Sequence, residues 1–162
     1  MNMLKKMAAA LLVLSLPAVP VAAQEAPAQN PVTLSGDVKA VKTVTDAAGA
    51  ESTELVEPTK IIPGDRLIFG TDYANNGAEA VTDFVVTNPL PSAVRLASDA
   101  DPSLTVSVDG AQSWGTLAEL SITDENGATR AATHADVTHV RWTLPSIAPG
   151  ESGRLEYPAI IR

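Results

Sequence analysis

The chain has no cysteine, two histidines and only six aromatic residues, two each of Trp, Tyr and Phe, among its 162 residues. Without cysteine there is no disulfide to staple the fold, so stability has to come from a buried core. A chain of this length can bury roughly two-thirds of its unfolded surface, which is enough for one. The same absence removes lipid attachment at a mature N-terminal cysteine. Basic residues are scarce, 11 Lys and Arg against 19 Asp and Glu. An acidic balance of this kind excludes nucleic acid and anionic lipid as natural partners, since both require clustered Lys and Arg. No stretch is apolar for the ~20 residues that a bilayer span needs. Membrane insertion is therefore not expected.

The first residues have a different texture. Lys5 and Lys6 precede a small, apolar run from Ala8 to Leu16 that only Ser15 interrupts. Pro17 and Pro20 break any helix, and Val21-Ala22-Ala23 supplies small residues for a signal peptidase. That order is the pattern of a secretory signal, residues 1–23, with cleavage expected after Ala23. Removal of Lys5 and Lys6 takes the formal charge from −8 to −10. Residues 24–31 form a polar leader punctuated by proline, with nothing to bury. The product is expected in the periplasm or outside the cell.

From residue 32 to 162 the sequence turns to short runs rich in Val, Thr, Ile and Leu, separated by Gly, Pro, Asn and Asp. No sustained helical spacing occurs, and turn signals recur at short intervals. Leu34, Val38, Ala40 and Val44 share one face of a first strand, and Thr53 to Glu57 forms a shorter second one. Leu67, Phe69, Thr71 and Tyr73 alternate with Gly70 and Asp72 as a half-buried strand requires. Asn75-Asn76-Gly77 then predicts a tight reversal into a partner strand, Val81 to Thr87. Strands are also expected at Leu104–Val108, at Leu117–Thr123, along Thr138, Val140, Trp142 and Leu144, and along Leu155, Tyr157, Ala159 and Ile161. Asp124-Glu125-Asn126-Gly127 and Ala148-Pro149-Gly150-Glu151 read as turns. The sum is an all-β, antiparallel sandwich of eight or nine strands.

Two segments, IIPGDRLIFGTDYANNGAEAVTDFVVTNPLPSAVRL (61–96) and IAPGESGRLEYPAI (147–160), carry a family likeness. The first resembles the bacterial conserved-repeat domain known as domain of unknown function eleven. Its Pro-Gly-Asp falls at Pro63-Gly64-Asp65, its strand aromatic at Phe69, its Asn-x-Gly at Asn75 and Gly77, and its closing turn at Asn88-Pro89-Leu90-Pro91. Asn88 stands where that family usually has Asp. The second segment looks like the family's last strand. The resemblance implies an immunoglobulin-like sandwich that serves as a spacer or contact module in surface and envelope proteins, with no enzymatic activity to carry over. That family occurs as repeats in long chains, whereas this sequence holds one copy.

Candidate chemistries are few. His134 and His139 are separated by an odd number of positions, so on one strand they face opposite sides and cannot share a metal. Gly150-Glu151-Ser152-Gly153 lacks the spacing of a serine nucleophile elbow and sits between strands. Asp99, Asp101 and Asp109 gather near one connection, and carboxylates of this kind can hold calcium, although Asp is equally a turn residue. Trp114, between Ser113 and Gly115, is either core or sheet-edge packing or a stacking platform for a sugar ring. Phe69, Tyr73, Phe84, Trp142 and Tyr157 are assigned to the core. No catalytic, cofactor or metal residue is predicted. The expected role is a non-catalytic binding or structural module of the envelope, partnered by another envelope or surface protein. The alternative is a carbohydrate- or cell-wall-binding module built on Trp114.

Overall fold

The computed structural model describes residues 31–162, so the predicted signal and nearly all of the leader lie outside the described residues. The described chain is all-β. Its eleven strands are β1 (Val32–Thr45), β2 (Glu51–Val56), β3 (Arg66–Asn75), β4 (Val81–Pro89), β5 (Val94–Leu96), β6 (Thr105–Ser107), β7 (Gly115–Thr116), β8 (Ser121–Thr123), β9 (Thr129–Ala131), β10 (His139–Ile147) and β11 (Ser152–Ile161). The count exceeds the eight or nine expected, because strands of two or three residues such as β5, β7 and β9 are too short to leave an alternation in the sequence. All pairings are antiparallel. One sheet runs β2-β1-β3-β11-β5, a second β4-β10-β6-β7, and β8 with β9 forms a separate hairpin.

The two larger sheets share one core. Leu67 and Tyr157 contribute from the first and Val106 and Val140 from the second, with Val94, Leu96 and Ala159 beside them. Tyr157 is the junction. It is 1 % exposed, its ring stacks on Phe69 at 5.0 Å, and Trp142 of the opposite sheet meets it at 6.2 Å. Burial pushes its phenol up to about 12. Phe69, Tyr73, Phe84 and Trp142, all assigned to the core, are only partly buried.

Two sequence expectations are corrected. The residues after Asn75 do not close a hairpin, because β4 pairs with β10 in the other sheet while β3 pairs with β1 and β11. Asn75 makes the crossing. Its buried side chain donates to the carbonyls of Glu79 (2.8 Å) and Ile147 (2.9 Å) and accepts the Gly77 N–H (2.9 Å), carrying the chain from one sheet to the other. The strand expected over Leu117–Thr123 is also broken. Leu117–Glu119 forms a single 3-10 turn, started by Glu119, whose carboxylate accepts from the Thr116 N–H (3.0 Å) and hydroxyl (2.8 Å).

On the core side of the first sheet, Tyr73 lies opposite Gly153 in register. A Cβ on Gly153 would stand inside contact distance of the Tyr73 ring. Gly153→Ala is therefore expected to cost about 1–2 kcal/mol of unfolding free energy by overpacking. Urea denaturation checks this, and adding Tyr73→Ser should recover part of the loss, because the ring is what the new methyl strikes.

Past Ala40, β1 leaves β3 and pairs with β2 alone. The two strands continue as a ribbon that turns at residues 46–50, where the Asp46 carboxylate accepts from the Ala48 and Ala50 N–H groups (2.8 and 2.9 Å). Most of this ribbon is exposed on both faces. An unsupported two-stranded ribbon is marginal in water.

Candidate functional site

The aspartates and histidines singled out in the sequence do not gather into one site, although Asp109 and His139 both meet the Trp114 loop. Asp99 pairs with Arg66 (2.8 Å), and that hydrogen bond holds its carboxyl below the usual range. Asp101 accepts from the Ser103 hydroxyl (2.7 Å) and N–H (2.8 Å), which lowers it likewise. Asp109 works inside another loop. Its carboxylate accepts from the Ser113 hydroxyl (2.6 Å) and N–H (2.9 Å), the Ser107 hydroxyl (2.7 Å) and the Gln112 N–H (3.0 Å). These bonds, led by Ser113, drive its carboxyl well below the ordinary carboxylate range. The three aspartates thus serve three separate turns and ion pairs. Among the described residues no three His, Asp or Glu side chains come together as a metal set. His134 precedes β10 and His139 opens it, so the two do not share a strand. Ser152 starts β11 at the surface, after a turn in which Glu151 accepts the Ala148 N–H (2.7 Å).

Other strongly charged groups are also committed. Arg154, on the outer face of the first sheet, reaches Asp37 (2.6 Å), Asp72 (3.0 Å) and Glu156 (2.5 Å). Glu156, Asp37 and Asp72 together raise the guanidinium above its ordinary value. Its tip lies over Gly70, where a Cβ would collide with it. Arg130 holds Asp136 (2.6 Å), and that contact drives the Asp136 carboxyl well down. Lys39 is raised chiefly by its hydrogen bond to Glu57.

Asp109 organises the loop that presents Trp114. Gly110 and Ala111 there adopt φ of 75° and 72°, and the Ser107 hydroxyl accepts the Ala111 N–H (2.9 Å). Thr138, at the entrance to β10, accepts the Gly110 N–H and donates to the Ser107 carbonyl, both at 3.1 Å. Held this way, Trp114 is partly buried against the outer face of the second sheet. The guanidinium carbon of Arg141 lies 3.5 Å from its ring centre, and the His139 ring meets its edge at 6.2 Å. Arg141 also donates from Nε to the Thr87 hydroxyl (3.3 Å) on β4. Alternation with Val140 and Trp142 puts Arg141 on the outward face, but the sequence gives no sign of this stack, since the pair meets only through the loop built on Asp109.

Two further features could receive something. A cleft of about 450 Å³ opens beside the core among Leu96, Leu104, Val106, Leu117, Ala132 and His134. The sheet edges are the other. β2 and β4 are outermost in their sheets, and Leu55 on β2 (54 %) and Val85 on β4 (48 %) are exposed. Among the described residues no helix is long and apolar enough to cross a membrane. Comparison of the chain with known protein families, with curated proteins and with solved structures finds no match in any of the three.

Proposed function

We propose that the chain is an exported, non-catalytic binding or structural module of the bacterial envelope, working in the periplasm or outside the cell. Its fold is read as an immunoglobulin-like sandwich, as the likeness of residues 61–96 and 147–160 to the conserved-repeat family implies. Two antiparallel sheets around one core, with the chain changing between them after β3, β4, β5 and β10, support that reading. The basic, apolar and small-residue order of residues 1–23 supports export. The strongly shifted carboxyls and guanidiniums being tied up in turns and ion pairs favours a contact role over a catalytic one.

The observation that carries the function is the projecting β1–β2 ribbon. Among the described residues it has an unpaired edge and no sheet behind it, and Leu55 is exposed; Ile61 and Ile62, in the connection that follows, are also exposed. An unpaired edge beside apolar side chains is what another polypeptide can extend by adding a strand. The partner is read as another envelope or surface protein.

Crosslinking and capture of the tagged mature protein from intact cells tests this. One envelope protein should be recovered at near-equal amounts with the intact chain, and lost when residues 43–53 are replaced by a two-residue turn. Equal recovery with the shortened arm would remove the arm from the reading. The second reading, a carbohydrate- or cell-wall-binding module on Trp114, draws on the ordered loop that holds that ring at the surface. Arg141 already covers one of the ring's faces, which leaves less for a sugar. Recovery of glycan or peptidoglycan fragments in the same capture would favour it instead.

A further inference from the structure

Among the described residues Arg95 and Arg141 make no ion pair, and of the two only Arg141 is held in place by other contacts. Arg66, Arg130 and Arg154 each hold carboxylates, and Arg162 donates to the carbonyls of Val94 and Ala135. Arg141 makes no ion pair among the described residues; its contacts are the Trp114 ring and the Thr87 hydroxyl. The carboxylates carried by the neighbouring loop are occupied elsewhere, Asp109 with Ser107, Gln112 and Ser113, and Glu119 with Thr116. Stacking on the indole and the bond from Nε together fix the plane of the guanidinium. Two terminal nitrogens are left in a preset fork, the geometry that binds a carboxylate through two parallel hydrogen bonds.

The position of this fork selects the kind of acid. Thr87 belongs to β4, the outer strand of its sheet, and alternation places Val85 and Thr87 on the same outward face as Arg141. A polypeptide laid along β4 would bring alternate side chains over that face, about 5 Å from their neighbours on β4. Asp83, at φ 52°, and Pro89 bound the usable edge, leaving Phe84 to Asn88. The negative charge of Asp83 disfavours an acid at its end and directs one toward Thr87.

We propose that the Trp114–Arg141 stack beside the β4 edge, unpaired among the described residues, is a carboxylate-recognition site for a partner strand, receiving an Asp or Glu side chain from a polypeptide added along β4. This surface is distinct from the β1–β2 ribbon, so either can fail without the other.

The test is a titration of the ¹⁵N-labelled mature protein with the capped peptides TVEVT and TVQVT and, separately, with acetate. The backbone N–H signals of Val85 and Thr87 and the indole N–H of Trp114 report binding. TVEVT is expected to bind about fivefold more tightly than TVQVT at low salt, the preference that one well-placed charge pair supplies. The preference should disappear in Arg141→Gln, persist in part in Arg141→Lys, and shrink for the wild type as salt shortens the screening length. The salt series needs no variant, so misfolding of Arg141→Gln would not shield the proposal. Equal binding of the two peptides would overturn it. Acetate matching TVEVT in affinity at the Trp114 indole, with Val85 and Thr87 unmoved, would also overturn it, since the strand would then contribute nothing.

Discussion

Tyr157→Ala is expected to lower the unfolding free energy by about 4 kcal/mol, the range found when a large aromatic is deleted from a core. The cost follows from its place. The ring lies on β11, packs on Phe69 of β3 in the same sheet, and meets Trp142 of the facing sheet. Its removal leaves a void that both sheets border and that rigid strands fill poorly. Urea denaturation at neutral pH measures the loss; a change under about 1 kcal/mol would mean that the sheets collapse over the gap. Tyr157→Phe separates packing from ionisation. The phenol is raised by burial to about 12, so the folded state favours the neutral form more than the unfolded chain does. A folded pKa above the unfolded one contributes stability that is complete below pH 10 and is lost as pH climbs from 10 toward 12. Between those values the wild type should lose at most about 2.5 kcal/mol through this group. Tyr157→Phe should remove that part of the alkaline decline while changing little at pH 7.

What the sequence makes legible here is local. The alternation Leu67, Phe69, Thr71, Tyr73 identified β3, because it depends on neighbours a few residues away. The hairpin at Asp124-Glu125-Asn126-Gly127 is equally local: the Asp124 carboxylate accepts the N–H groups of Asn126 and Ala128 (both 2.9 Å), and Gly127 takes φ 82°. The 3-10 turn was also within reach, since Thr116-Leu117-Ala118-Glu119 has the Thr-x-x-Glu spacing of a capping box. Strand partners were not legible. β4 carries the valines of a strand whether it pairs with β3 or with β10, and only long-range packing decides. The candidate site shows the same limit. Trp114 stood out as an aromatic among polar residues, but the guanidinium covering it comes from β10, and of the three aspartates near one another in sequence two serve separate contacts in the β5–β6 loop and the third the loop after β6.

Asn75 shows how a residue that reads as a local turn former can hold two sheets together. It is 1 % exposed, and its amide spans the crossing between sheets: Nδ2 donates to the carbonyls of Glu79 and Ile147, and Oδ1 accepts from Gly77. Its backbone N–H also donates to the Glu151 carbonyl, and its carbonyl accepts from Gly150, so the turn after β10 closes on the same residue. Asn75→Ala strips partners from two carbonyls and one N–H in a site with little access to water, and is expected to cost about 3 kcal/mol. Asn75→Asp keeps the shape and is expected to be worse at pH 7, because an ionised carboxylate cannot donate to the Glu79 and Ile147 carbonyls and would face their oxygens. Burial and those oxygens would raise the new carboxyl above its unfolded value. Its stability would then be greatest at low pH and would fall as pH rises through the folded pKa. Urea midpoints of wild type, Asn75→Ala and Asn75→Asp at pH 5 and pH 7 provide the check. The aspartate variant should gain on the alanine variant at the lower pH; a constant gap between them would mean that the side chain is hydrated and that the crossing is held by the backbone bonds to Gly150 and Glu151 alone.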